Sequence, residues 1–146
     1  MDSPVALITG AARRIGAAIA RTLHSQGWRV ALHYRGSRQH ADALAAELNQ
    51  QRADSACCLQ ADLLDTAALP GLVAAAAARW GRLDALVNNA SSFFPTPLGQ
   101  ISQADWDDLI GSNLKAPLFL AQAAAPHLAA QGGAIVGLID IHAERP

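Results

Sequence analysis

Lysine, tyrosine and methionine are almost missing from this chain: Lys115, Tyr34 and Met1 are the only ones among its 146 residues. No tyrosine therefore stands one helical turn from a lysine. Cysteine is scarce too. Cys57 and Cys58 are adjacent, and neighbouring residues of a strand face opposite ways. They suit neither a disulfide framework nor a thiolate metal pair, which favours a reducing, cytoplasmic setting. The five histidines show no metal-ligand spacing, so no metal is expected. Asp105, Asp107 and Asp108 read as the start of a helix. No apolar run approaches the about 18 residues of a membrane span. Met1-Asp2-Ser3-Pro4 lacks the basic region of a secretory signal. Eleven Lys and Arg against twelve Asp and Glu leave a net charge of −1, too little of either sign to imply a nucleic-acid or membrane partner.

Hydrophobic residues make up 51% of the chain, enough for one domain to bury a core. Short apolar runs alternate with longer Ala- and Leu-rich segments. Val5–Thr9, Arg29–His33, Ala56–Gln60, Ala85–Asn88 and Ala134–Ile139 read as strands covered on both faces. Ile15–Ser25, Gln39–Gln51, Ala67–Arg79 and Ala104–Ala130 carry apolar residues at helical spacing. Ser102 and Asp105 are start signals for the fourth helical region, and Gly27 and Gly81 stop the first and third. Pro126 is expected to kink or restart the last long helix. Repeated strand–helix–strand units predict an α/β fold, a doubly wound parallel sheet of Rossmann type in a single domain over 1–146. The last expected strand leaves a sheet edge uncovered, so the fold reads as C-terminally incomplete.

Thr9-Gly10-Ala11-Ala12-Arg13-Arg14-Ile15-Gly16 links the first strand to the first helix. A helix N-terminus offers free N–H groups and the positive end of a dipole to phosphate. Gly10 serves the tight turn and Gly16 close helix–strand packing, while Arg14 stands where a middle glycine would. The end of the second strand selects the nucleotide. A free ribose 2′-hydroxyl calls for a carboxylate about 20 residues beyond the loop, and a 2′-phosphate for positive charge. Here His33-Tyr34-Arg35-Gly36-Ser37-Arg38 precedes any carboxylate. Arg35 or Arg38 can neutralise a phosphate and Ser37 can donate a hydrogen bond to it, which points to NADPH.

Thr9–Gly16, Asp62-Leu63 after the third strand, Asn88-Asn89-Ala90 after the fourth and Asn113 in the next helix together resemble the short-chain dehydrogenase/reductase family. The resemblance runs nearly the whole length of the chain. Within that family, Arg14 in the loop, His33-Tyr34 followed by basic residues and Ser37, and Asn88-Asn89-Ala90-Ser91-Ser92-Phe93-Phe94-Pro95-Thr96-Pro97-Leu98 are similar to pteridine reductases. So is Asp140, where the wider family has serine.

The resemblance implies an NADPH-dependent oxidoreductase reducing a pterin or dihydropterin, a homo-tetramer when whole. It assigns Gly10, Arg14, Ile15, Gly16, His33, Tyr34, Arg35, Ser37, Arg38, Asp62, Leu63, Asn89, Ala90, Ser91 and Ser112 to the cofactor. Arg14, Ser91, Phe93 and Asp140 would meet the substrate, Phe93 by stacking the pterin against the nicotinamide. Asn113 would support proton delivery through a helix irregularity, and Asp140 would assist the acid. By their residue types alone, Phe93 and Phe94 also suit core packing under a loop, Asn88 and Asn89 a turn, Asn113 a local helix break, and Asp140 a helix cap. The same resemblance puts the tyrosine and lysine on a helix after Asp140, leaving here five of roughly seven strands and a chain inactive alone. Two alternatives stay open: a short-chain reductase of another carbonyl, such as a 3-oxoacyl thioester, and a non-catalytic NADP-binding protein.

Overall fold

The computed structural model describes residues 3–140 and Glu144. Five strands, β1 (Val5–Ile8), β2 (Arg29–Tyr34), β3 (Ala56–Gln60), β4 (Ala85–Asn88) and β5 (Ala134–Gly137), form one parallel sheet in the order β3-β2-β1-β4-β5. Its register runs from Val5 opposite Arg29, Ala6 opposite Ala85, Val30 opposite Ala56 and Ala85 opposite Ala134. The helices are α1 (Arg14–Ser25), α2 (Arg38–Gln51), α3 (Leu69–Trp80), α4 (Gln103–Ile110) and α5 (Ala116–Gln131). A short 3-10 turn, Thr66–Ala68, precedes α3.

Strand alternation divides the core into two layers. Ala6, Ile8, Val30 and Leu32 pack with Ala17, Ala20, Leu44 and Leu48 of α1 and α2. Val5, Leu7, Ala31 and Leu86 pack with Leu69, Leu72 and Val73 of α3 and Leu120, Ala124 and Leu128 of α5. Each fully buried leucine contributes about 1.5–3 kcal/mol relative to exposure. The doubly wound parallel fold expected from the sequence is therefore present. β5 is its open edge: all four of its residues are exposed, Ile135 and Val136 by 45% and 48%.

One expectation needs correction in the fourth helical region. Ala104–Ala130 is not one helix: a π-helical turn, Gly111–Lys115, separates α4 from α5. Pro117 explains the break, since it has no N–H to give the carbonyl four residues back, that of Asn113. The chain widens instead, and the Ala116 N–H bonds the Gly111 carbonyl. Pro126, in contrast, lies within an unbroken α5. The caps follow expectation. The Ser102 side chain accepts from the Asp105 N–H, the Asp105 carboxylate accepts from the Ser102 N–H, and Gly81 ends α3 with φ +76°.

The N-terminal ends of the strands are tied by Asp84, whose carboxylate accepts the Val5 N–H at 2.8 Å and two Arg82 nitrogens at 2.8 and 2.6 Å. Burial pushes this carboxyl up, but Arg82 and the Val5 N–H outweigh it and hold the group below its ordinary value.

Candidate functional site

A cleft of about 470 Å³ opens at the C-terminal ends of the strands. It lies where the strand order reverses between β1 and β4, the usual binding position in open α/β sheets. Its walls come from the β1–α1 loop, the end of β2, the segment after β3, the start of the β4–α4 loop, and α4 with the π turn.

The β1–α1 loop is shaped by close approach. Gly10 has φ +60°, and a Cβ there would lie 3.1 Å from the Ala90 Cα. At Gly16 a Cβ would fall 2.1 Å from the Gly10 carbonyl oxygen and 2.7 Å from the Asn89 Nδ2, so no side chain fits. Arg14 also has positive φ, +53°, at a cost of roughly 1–2 kcal/mol for a side-chain-bearing residue. The first bond within α1 runs from the Ala17 N–H to the Arg13 carbonyl. The N–H groups of Arg14, Ile15 and Gly16 precede it and have no intrahelical partner. No acidic residue occupies the first turn of α1, and Arg13 and Arg14 add positive charge to its dipole.

Two side chains hold this loop. His33, 2% exposed, accepts the Gly10 N–H on Nδ1 at 3.1 Å and meets the Ala61 carbonyl through Nε2 at 3.0 Å. A carbonyl only accepts, so the ring proton is on Nε2 and the imidazole is neutral. Burial lowers the His33 pKa, and the Ala61 carbonyl and Asp62 oppose that only in part. From the other side, the Asn89 Nδ2 donates to the Thr9 and Gly10 carbonyls at 3.0 and 3.2 Å. The Thr9 hydroxyl accepts the Asn89 and Ala90 N–H groups, both at 3.0 Å.

Of the residues expected at a cofactor, Gly10, Arg14, Ile15, Gly16, His33, Tyr34, Arg35, Ser37, Asp62, Leu63, Asn89, Ala90, Ser91 and Ser112 all line the cleft. Arg38 does not: on the first turn of α2 it turns to Asp42, 3.5 Å away. Arg35 is paired with Asp62 at 3.4 Å. Among the expected substrate and catalytic residues, Arg14 and Ser91 are in the walls, whereas Phe93, Asn113 and Asp140 are outside them. Phe93 is 90% exposed on the β4–α4 loop. Asn113, in the π turn, donates from Nδ2 to the Ser92 carbonyl at 2.8 Å and so ties that loop to the helix. Asp140 is exposed beyond the end of β5.

Arg13, Leu64, Ser92 and Asp108 also line the cleft without having been singled out. Asp108 keeps Oδ1 buried without a hydrogen-bond partner, while its carbonyl accepts the Ser112 hydroxyl at 2.8 Å. Arg13 was legible from its neighbour Arg14. Asp108 was not, because the triplet in which it occurs reads as helix-start chemistry. Both cysteines are pushed up to about 11 by burial, which leaves them thiols at neutral pH. Among the described residues no set of His, Cys, Asp and Glu is placed to hold a metal, and no helix is long and apolar enough to cross a membrane.

Comparison with known proteins gives the cleft its context. A family model described as short chain dehydrogenase matches residues 4–145. Pteridine reductase 1 of Leishmania tarentolae is 42% identical over 182 aligned residues, covering 99% of this chain and 63% of that protein. The 3-oxoacyl-(acyl-carrier-protein) reductase FabG of Staphylococcus aureus is 36% identical over 137 residues, 93% of this chain and 55% of that protein. An uncharacterised oxidoreductase of Methylorubrum extorquens is 33% identical over 141 residues, 97% of this chain and 56% of its own. The chain thus spans between about half and two thirds of the length of these relatives. With a family match over nearly all its residues and a loop–helix cleft at the strand-order reversal, this chain belongs to the short chain dehydrogenase family.

Proposed function

We propose that these residues are the cofactor-binding part of an NADPH-dependent oxidoreductase that reduces a pterin or dihydropterin. The observation that carries the choice of NADPH is the pairing of Arg35 and Ser37 in one cleft wall with no carboxylate in the β2–α2 turn. Arg35 would meet the 2′-phosphate as a charge-assisted partner, with Ser37 donating beside it. The free N–H groups of Arg14, Ile15 and Gly16 would take the pyrophosphate. Asp62 and Leu63 would border the adenine, with His33 and Tyr34 behind them; Asn89, Ala90, Ser91 and Ser112 would follow the riboses. When bound, NADPH supplies the hydride, and the protein contributes orientation and electrostatics.

The pterin reading draws on the 42% identity to a protein named for pteridine reduction and on Phe93, whose exposed ring offers a face to a flat heterocycle. Arg14 and Ser91 would meet the same substrate from the cleft wall. Asn113 and Asp140 would serve proton delivery, while the general acid and its lysine would come from outside these residues. Tyr34 and Lys115, the only tyrosine and lysine, are on β2 and in the π turn. These residues alone would then bind cofactor without turnover, and the whole protein would work as a homo-tetramer. A second reading, reduction of a 3-oxoacyl thioester, has the 36% identity to FabG in its favour.

Titration of NADPH and NADH against Arg35→Ala/Ser37→Asp tests the cofactor. NADPH affinity should fall about tenfold or more, with NADH affected less; equal losses would contradict the 2′-phosphate assignment. Turnover of dihydropterin against 3-oxoacyl thioester by the whole protein separates the two substrates.

A further inference from the structure

The glycine loop is held from β2 by one side chain, His33, which spans 3.1 Å to the Gly10 N–H and 3.0 Å to the Ala61 carbonyl. Gly10 is the left-handed turn from which the rest of the loop departs, at φ +60°. The loop is fastened to the same residue by a backbone bond as well, from the Ala11 N–H to the His33 carbonyl at 2.9 Å. An imidazole can accept from one neighbour and donate to the other only when it is neutral. A second proton would set an N–H on Nδ1 against the Gly10 N–H 3.1 Å away, with the ring buried.

We propose that His33 is a positioning residue: as a neutral imidazole with its proton on Nε2 it holds the glycine loop in the form that accepts phosphate, and protonation releases the loop and weakens the dinucleotide. The inference rests on the nucleotide reading given above. The charged groups around the ring divide in sign. Asp62 follows Ala61 directly and favours protonation. Asp65 is farther along the same segment, and Asp108 lines the cleft from α4. Arg13 and Arg14 of the loop and Arg35 of the turn after β2 line the same cleft, and Tyr34 is the neighbouring titratable group. The only charged residue of α3, Arg79, is at its far end.

The test is an NADP⁺ titration, stable in acid, on the wild type, His33→Gln and His33→Phe, with thermal melting to confirm folding. A glutamine amide offers one acceptor and one donor, whereas phenylalanine keeps the flat shape and offers neither. At pH 8 the Phe variant should lose about tenfold or more in affinity, and the Gln variant should stay within about threefold of wild type. Between pH 7.5 and 5 the wild type should lose more affinity than His33→Gln; the cofactor's own 2′-phosphate titrates equally against both. A folded Phe variant that binds like wild type, or one pH profile shared by wild type and His33→Gln, would overturn the inference while leaving the nucleotide reading intact. No NADP⁺ binding by the wild type at any pH would overturn both. If the Phe variant does not fold, ring-nitrogen NMR of the wild type decides: a proton on Nε2 supports the inference, and a proton on Nδ1 overturns it.

Discussion

Arg14 is where a side chain and its backbone disagree. Its φ of +53° belongs to glycine, yet the loop carries a guanidinium there. Relieving the left-handed conformation returns roughly 1–2 kcal/mol, and the extra freedom of glycine in the unfolded chain takes back about 0.5–1 kcal/mol. Arg14→Gly should therefore stabilise the protein by about 0.5–1 kcal/mol in urea denaturation and weaken NADPH by removal of a charge at the phosphate. A less stable Arg14→Gly would mean that the arginine is anchored by contacts outweighing its strain. That Arg14 replaces the middle glycine was legible in the sequence. That it adopts the glycine conformation was not, since φ is decided by Gly10, Gly16 and Asn89 pressing the loop into a narrow space.

Among the five α-helices, α4 stands apart because none of its residues is buried. Its apolar Trp106 is 59% exposed, so its helical state depends on local terms more than on packing. The capping box of Ser102 and Asp105 is the largest of these. Ser102→Ala should cost about 1 kcal/mol, detected as faster amide hydrogen exchange across residues 103–110 with little change in β1, β2 and β4. Uniform acceleration throughout the sheet would show instead that α4 opens only with the whole fold. The cap was readable from Ser102 and Asp105 three residues apart. The π turn includes Asn113, where the resemblance implied a helix irregularity; the apolar periodicity of 104–130 alone did not show it, because periodicity reports which residues share a face and not whether each carbonyl finds its N–H.

At the scale of the molecule, the buried histidines couple folding to pH. His24 is lowered by burial and by the charge of Arg52, and His33 chiefly by burial. The unfolded chain, with histidines near 6.5, then binds more protons than the native state below that pH. Stability is fully present above about 6.5 and declines as pH falls toward the depressed folded values. Asp84, also lowered, loses its contribution only at more acid pH, below its ordinary 3.8 and through its folded value. The urea midpoint should thus be level between pH 7 and 8 and drop by pH 5. A midpoint unchanged down to pH 5 would contradict neutral buried histidines.

The alternation of short apolar strands with amphipathic helices was sufficient to determine the parallel α/β fold, because two-sided burial and right-handed crossovers leave few other arrangements. The resemblance carried by Thr9–Gly16, Asp62 and Asn89 implied one cofactor site at the ends of three strands, and parallel strands do bring their C-terminal ends to one side of the sheet. What only the tertiary structure decided was which side chains share the cleft. Arg35 lines it and Arg38 turns to Asp42, although both are basic and three residues apart, because the start of α2 between them rotates the second away. His33 gave no sign in one dimension that it would hold a loop 23 residues earlier and a carbonyl 28 later. Hydrogen bonds between strands depend on register, and register exists only once the sheet has formed.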